Sequence, residues 1–357
     1  MATAAFSPTL TAVIELLESL IRTPSLSREE ADTAALLESF LINQGFHPAR
    51  RGNNVWARQP HWREGLPVVL LNSHHDTVKP NAGWQRDPFT PTWEGDQLFG
   101  LGSNDAGGPL VALVGAFCLL KDRTDLPFNL LLAATAEEEI SGAGGVASIL
   151  PELGPISCGI VGEPTSLDVA VAERGLIVID GEAQGQAGHA ARNEGVNALY
   201  LALDDIQRLR AYEFPKTSEL LGPVKVTVTQ ITAGSQHNVV PDRCLFVIDV
   251  RVNEHYANQD VVSQLQRVVT STLTPRSLRL QSSGIDPEHP LARAAQAAGL
   301  RPYGSPTLSD QALLAFPTIK LGPGDSARSH TADEYIRRSE IEAGIQTYLR
   351  VLEQLYT

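Results

Sequence analysis

Several carboxylates and histidines in this chain follow short apolar runs, where they could bind metal or carry protons. His74 and Asp76 stand two apart in Ser73-His74-His75-Asp76-Thr77-Val78, after the run Val68 to Leu71. In an extended segment that spacing turns both side chains to one face, so the imidazole could bind a metal while the carboxylate supports it. A capping or surface cluster is the plainer alternative. Asp105 lies in the glycine-rich turn Gly100 to Gly108, before an apolar helix from Pro109. It reads as a carboxylate held to bridge two cations, or as a turn ending in an Asp cap. The turn is no dinucleotide fingerprint, because Asp105 itself occupies the third glycine position. Glu137, Glu138 and Glu139 follow the strand Phe128 to Thr135. A run of acids is usually a solvated loop, but after a buried strand its repulsion is costly unless a cation or proton relieves it. Glu163 terminates the run Cys158 to Val161, and His330 follows Gly322-Pro323-Gly324.

Together these groups form a mixed nitrogen and oxygen donor set, which suits zinc or cobalt(II) better than calcium or magnesium. Two metals sharing a carboxylate would sit about 3.5 to 4 Å apart, the arrangement of two-metal hydrolases. A further acid that binds neither metal could then deprotonate the water between them.

The elements that position these groups follow from the hydrophobic pattern. Val68 to Leu71, Phe128 to Ala134, Cys158 to Val161 and Thr318 to Leu321 are continuous apolar runs. Such runs suggest strands buried on both faces of a mixed or parallel sheet under helices. Polar groups directly after them would line one sheet edge, where open α/β folds place ligands. Between Ala172 and Gly284 the texture changes to strict alternation, as in Val224, Val226, Val228 and in Cys244, Phe246, Ile248, Val250. A strand from Gly175, a helix from Gly195, two alternating strands, a helix from Asp260 and a strand near Leu278 give a β-α-β-β-α-β order. That is a ferredoxin-like α+β unit inserted into the first domain. The expected division is residues 1–172 and 285–357 for the first domain and 173–284 for the insert.

The chain has 357 residues, 43% hydrophobic and 19% charged, which suits globular domains rather than disorder. Its formal net charge of -13 argues against a nucleic-acid partner. Met1 to Arg22 reads as an amphipathic helix with Ser7 as cap and Pro8 in its first turn, not as a secretory leader. No stretch approaches the ~18 apolar residues of a membrane span. Cys118, Cys158 and Cys244 are expected to be free thiols in a reducing compartment, which points to the cytoplasm.

These motifs, in this order and with this insertion, resemble the M20 family of metallopeptidases and deacylases, and the likeness covers essentially the whole chain. The resemblance implies an α/β, zinc-peptidase-like mixed sheet between helices, with a lid and dimerisation domain inserted. It implies two Zn(2+) per subunit, with Co(2+) able to substitute. His74 and Glu163 would bind one ion, Glu139 and His330 the other, and Asp105 both. Asp76 would orient His74, and Glu138 would be the general base and acid. Gly188-His189-Ala190-Ala191 is similar to a segment whose histidine crosses a homodimer interface, which would make His189 catalytic. Asn238 and Arg251 match substrate-binding positions, Arg251 for a carboxylate. Arg328, two residues before His330, could pair with a succinyl or α-carboxylate.

The chain departs from the family pattern at Leu101 and Gly107, where an arginine and a lysine are usual, and in the acidic run, where Glu137 replaces an aspartate. The run therefore leaves a register to choose, placed at Glu138 and Glu139 because the small Ser141 then falls two positions after the ligand. Leu98 to Gly108 and Gly304 to Gln311 are most similar to acetylornithine deacetylase-like members. The implied substrate is a small N-acyl amino acid, an N-acetyl or N-succinyl ornithine or citrulline of arginine biosynthesis. A dipeptidase or another N-acyl-amino-acid hydrolase is the alternative, and a metal-binding dimer without activity is a third.

Overall fold

Strands covered on both faces need apolar residues at every position, and the central strands have them. In the computed structural model, which describes residues 2–192 and 194–356, the chain divides into two compact units. One comprises residues 1–171, 285–303 and 309–357; the other comprises 172–284 and 304–308.

The first unit carries a mixed sheet in the order Ala49–Arg51, Asn54–Arg58, Asn129–Thr135, Val68–His74, Cys158–Gly162, Thr318–Leu321, Val169–Glu173. Val68–His74 runs parallel to Asn129–Thr135 and to Cys158–Gly162, and Thr318–Leu321 runs parallel to Cys158–Gly162. These four strands therefore end at one edge. Successive side chains point to opposite faces. Val69, Leu71, Leu130, Leu132 and Ile160 join the core under the helices Ala2–Arg22, Gly108–Leu119 and Arg338–Gln354. Val68, Leu70, Leu131, Ala133 and Val161 pack on the other face with Val146–Leu153. Each large aliphatic side chain so buried is worth about 1.5 to 3 kcal/mol.

Helix Gly108–Leu119 is apolar on all sides, and Gly108 to Phe117 are buried between its neighbours, as an all-hydrophobic helix must be. The first helix does not start at Ser7. It spans Ala2–Arg22 with Pro8 inside, past the first turn, where the proline nitrogen has no N–H for the i−4 carbonyl.

The second unit has the strands Gly175–Gln184, Lys225–Ala233, Arg243–Val252 and Thr272–Pro275 and the helices Ala198–Ala211 and Asn258–Val268. Its sheet order, Lys225–Ala233, Arg243–Val252, Gly175–Gln184, Thr272–Pro275, is that of the ferredoxin-like split β-α-β unit. The helix expected from Gly195 begins after Asn197, whose side chain accepts from the Leu199 amide at 3.0 Å. The last strand lies before Leu278, whose carbonyl is taken by the Asn258 and Gln281 side chains. All three cysteines are free. Among the described residues no helix is long and apolar enough to cross a membrane.

Candidate metal centre

His74 is the last residue of its strand and is almost fully buried. Its Nδ1 lies 3.0 Å from the Asp76 carbonyl and 3.4 Å from Asp76 Oδ1. Its Nε2 has no hydrogen-bond partner, yet Asp105 Oδ1 is 3.4 Å away and Glu138 Oε2 and Glu163 Oε1 are each 3.8 Å away. Burial opposes a charge on this imidazole, but Glu138, Asp105, Asp76 and Glu163 together lift it well above its ordinary range.

Asp76 does more than face the imidazole. Its Oδ1 accepts the Glu138 amide at 3.0 Å, and its Oδ2 accepts the Glu139 amide at 3.2 Å and the Ser27 hydroxyl at 2.7 Å. One buried carboxylate thus fixes His74 to the turn that carries the acids. That turn resolves where the three glutamates point. Glu137, at φ 55, turns its carboxylate onto the 142–144 loop and accepts the Gly144 amide at 3.2 Å, while Glu138 and Glu139 face the histidines.

Asp105 sits in the turn after Gly102, where a φ of 73° and the approach of Thr77 Cγ2, 2.5 Å from where a Cβ would stand, both call for glycine. The Asp105-Ala106 peptide is cis. Glu334, 2% exposed, receives the amides of Gly102 at 3.1 Å, Asn104 at 2.8 Å and Asp105 at 2.8 Å. Burial and the nearby Asp105 push its carboxyl up to about 8, against these three donors. His330, at φ 59 and half exposed, places Nε2 2.9 Å from Glu139 Oε2 and 3.6 Å from Asp105 Oδ2. Hydrogen bonding to Glu139 raises it to about 9 despite partial burial.

The carboxylates crowd one another. Burial pushes Glu138 well above its usual range, Glu139 up, and Glu163 up to about 8. For Asp105 burial acts the same way, but contact with His74, Ser329 and His330 leaves its carboxyl lowered. Two groups, His74 with Glu138 and Glu163 and His74 with Asp105 and Glu139, have one donor atom from each residue within 4.8 Å of the others. A cation among them would give the orphaned His74 nitrogen a partner and relieve the repulsion, so the donor set fits a metal.

His189, Asn238 and Arg251 lie in the second unit. His189 is exposed on a two-residue strand paired with Val239, and its Nδ1 accepts the Ala191 amide at 3.1 Å. Asn238 is exposed, and the Arg251 fork pairs with Asp249 at 2.8 and 3.1 Å. Arg328, expected to read a substrate carboxylate, pairs through both guanidinium nitrogens with Glu340 at 2.8 and 2.9 Å and lies over the Tyr335 ring.

Sequence reasoning passed over Ser27, Glu334 and Asp310. Asp310 lies in Gly304 to Gln311, a segment read only for family likeness, and accepts the Thr135 hydroxyl at 2.7 Å. Ser27 and Glu334 carry no local signal that separates them from surface residues.

A mixed sheet with imidazoles and carboxylates gathered beyond the ends of its parallel strands is the build of a metal-dependent hydrolase. The chain belongs to Peptidase family M20/M25/M40, whose model matches residues 70–354. Among its relatives is a succinyl-diaminopimelate desuccinylase of Stenotrophomonas maltophilia, 29% identical, covering 97% of this chain and 100% of the relative. A Pyrobaculum aerophilum protein named as a LysW-lysine/LysW-ornithine hydrolase is 30% identical over 96% of this chain and 97% of its own. Similar folds include the dinuclear metal-binding M20 peptidase YXEP of Bacillus subtilis, with TM-score 0.78, 18% identity and coverage of 98% and 99%. The aminopeptidase PepT of Bacillus cereus has TM-score 0.77 and 17% identity, with the same coverage of the two chains, 98% and 99%.

Proposed function

We propose that this chain is a di-zinc amide hydrolase that removes an acetyl or succinyl group from the α-nitrogen of ornithine or citrulline, in arginine biosynthesis. It works as a cytoplasmic homodimer. The observation that carries the metal reading is the buried His74 Nε2, without a hydrogen bond and surrounded by carboxylates. The desuccinylase and the LysW-ornithine hydrolase among the relatives support cleavage of an acylated amino acid.

His74 and Glu163 would hold one zinc, Glu139 and His330 the other, and Asp105 both, with cobalt able to replace zinc. When bound, the ions polarise the acyl carbonyl and make water a stronger acid at neutral pH. Glu138 takes the proton of the attacking water and returns it to the departing amine. Its raised carboxyl, set by burial, suits a group that must both accept and donate. Asp76 keeps His74 and the Glu138 turn in register. His189 of one subunit donates to the developing oxyanion in the other subunit's site. Arg251 and Asn238 bind the substrate's α-carboxylate end.

The test combines metal content with turnover of acetyl- and succinyl-ornithine, acetyl- and succinyl-citrulline and a dipeptide panel. The expected result is about two zinc ions per chain and hydrolysis confined to the acylated amino acids. Dipeptide cleavage alone would replace the substrate proposal, and metal binding without any hydrolysis would leave a binding protein.

A further inference from the structure

Two segments that carry proposed ligands meet through a buried carboxylate that is not itself a proposed ligand. The Asp105 turn sends three amides, from Gly102, Asn104 and Asp105, into the Glu334 carboxylate at 2.8 to 3.1 Å. Glu334 is only four residues beyond His330, and its own carbonyl accepts the Gly100 amide at 3.0 Å. Before His330, Arg328 is anchored to Glu340. The separation of Asp105 Oδ2 from His330 Nε2, 3.6 Å, is therefore spanned by one carboxylate clamp.

The His74 side of the cluster has a different support. His74 closes a buried strand and is held by Asp76, 0% exposed. His330 is half exposed and lies outside any strand or helix.

We infer that Glu334 is the positioning residue that sets how tightly the Asp105, Glu139 and His330 position holds its cation. This inference rests on the two-cation reading above. Glutamine at 334 would keep the shape but present an NH2 group to at least one backbone N–H, leaving that amide unpaired. The Asp105 carboxylate and the His330 imidazole would then lose their common reference, while the His74 and Glu163 position, which shares Asp105 but keeps its other two ligands at strand ends, would lose less. Partners that orient metal ligands typically change affinity by about 10- to 100-fold.

The test titrates Co(2+) into metal-free wild type, Glu334→Gln and Glu334→Asp, following the cobalt absorption bands and competition with a chelator. Circular dichroism checks that each variant is folded. Wild type should fill two positions, and in Glu334→Gln one should lose about 10- to 100-fold while the other, which shares Asp105, loses clearly less. If Glu334→Gln does not fold, Glu334→Asp, too short by one methylene to reach all three amides, carries the same expectation. A wild type that takes one cation refutes the two-cation reading and this inference with it. Two cations in wild type, with both positions unchanged or equally weakened in the variants, overturn this inference alone and leave Glu334 a role in folding only.

Discussion

Replacing Glu138 by glutamine separates the base from the ligands. The turn that carries Glu138 is held by main-chain bonds, its amide to Asp76 Oδ1 at 3.0 Å and the Glu139 amide to Asp76 Oδ2 at 3.2 Å. An isosteric side chain therefore leaves the backbone and Glu139 in place. What disappears is the proton acceptor. A positioned general base is worth ~10² to 10⁴-fold, which is ~2.7 to 5.5 kcal/mol of barrier. Glu138→Gln should thus lower kcat by that factor with KM and zinc content unchanged, measured by steady-state turnover of acetyl-ornithine and by metal analysis after dialysis. The geometry also allows Glu138 to be a ligand, since its carboxylate groups with His74 and Glu163. Loss of one zinc in the variant would prove that alternative and refute the base assignment. A fall in kcat of less than tenfold with both metals retained would refute it as well.

Coexpressed His189→Ala and Glu138→Ala chains should regain activity from two inactive parents, because a mixed dimer has one site with an intact Glu138 and an intact partner His189; an inactive verified heterodimer refutes action in trans. Arg328→Ala should cost roughly 1 kcal/mol through the lost Glu340 pair and lower Tm by about 2 to 4 °C, affecting acetyl and succinyl substrates alike; selective loss of succinyl turnover would return Arg328 to the substrate. Asp205, buried, accepts from the amides and hydroxyls of Thr270 and Ser271, which outweigh its burial and lower its carboxyl. A lowered folded-state value gives stability that is present above the unfolded value near 3.9 and lost as pH falls through the folded one. Urea unfolding should therefore show Asp205→Asn weaker than wild type at pH 7, with the gap closing below about pH 4; a constant gap refutes the charge argument. Chelation should lower Tm, by an amount that grows with the zinc concentration restored in the control, about 2.7 kcal/mol at a hundred times Kd; an unchanged Tm means that no metal supports the fold.

How much was legible depended on the range over which each residue acts. The strand ends could be read because Val68 to Leu71 and Cys158 to Val161 are apolar at every position, and a polar residue after such a run must lie at a sheet edge. The three-residue strands Thr92–Glu94, Gln97–Phe99 and Tyr335–Arg337 were not readable, since so short a segment has no period of its own and is paired by distant partners. The proposed ligands announced themselves by type, whereas their supports did not. Glu334 is defined only by three amides some 230 residues earlier in the chain, and Ser27 only by its bond to Asp76.

The departures at Leu101 and Gly107 show the same limit from the other side. The sequence leaves the charge balance near Asp105 open. In the structure Leu101 is buried, and a Cβ on Gly107 would meet the Gly102 carbonyl oxygen at 2.4 Å and Leu17 Cδ1 at 2.6 Å. An added Cβ on Gly100 would likewise meet Ile21 at 2.4 Å. The first helix thus fills the space that a longer side chain at these positions would need, and it fills it with hydrocarbon. No lysine at 107 could fit unless both that helix and the Gly102 turn moved. Positive charge near Asp105 must then come from His74 and His330, or from bound cations. A cluster this acidic, with Leu17 and Ile21 packed on the glycines of its turn in place of a basic side chain, calls for a bound cation to relieve its repulsion.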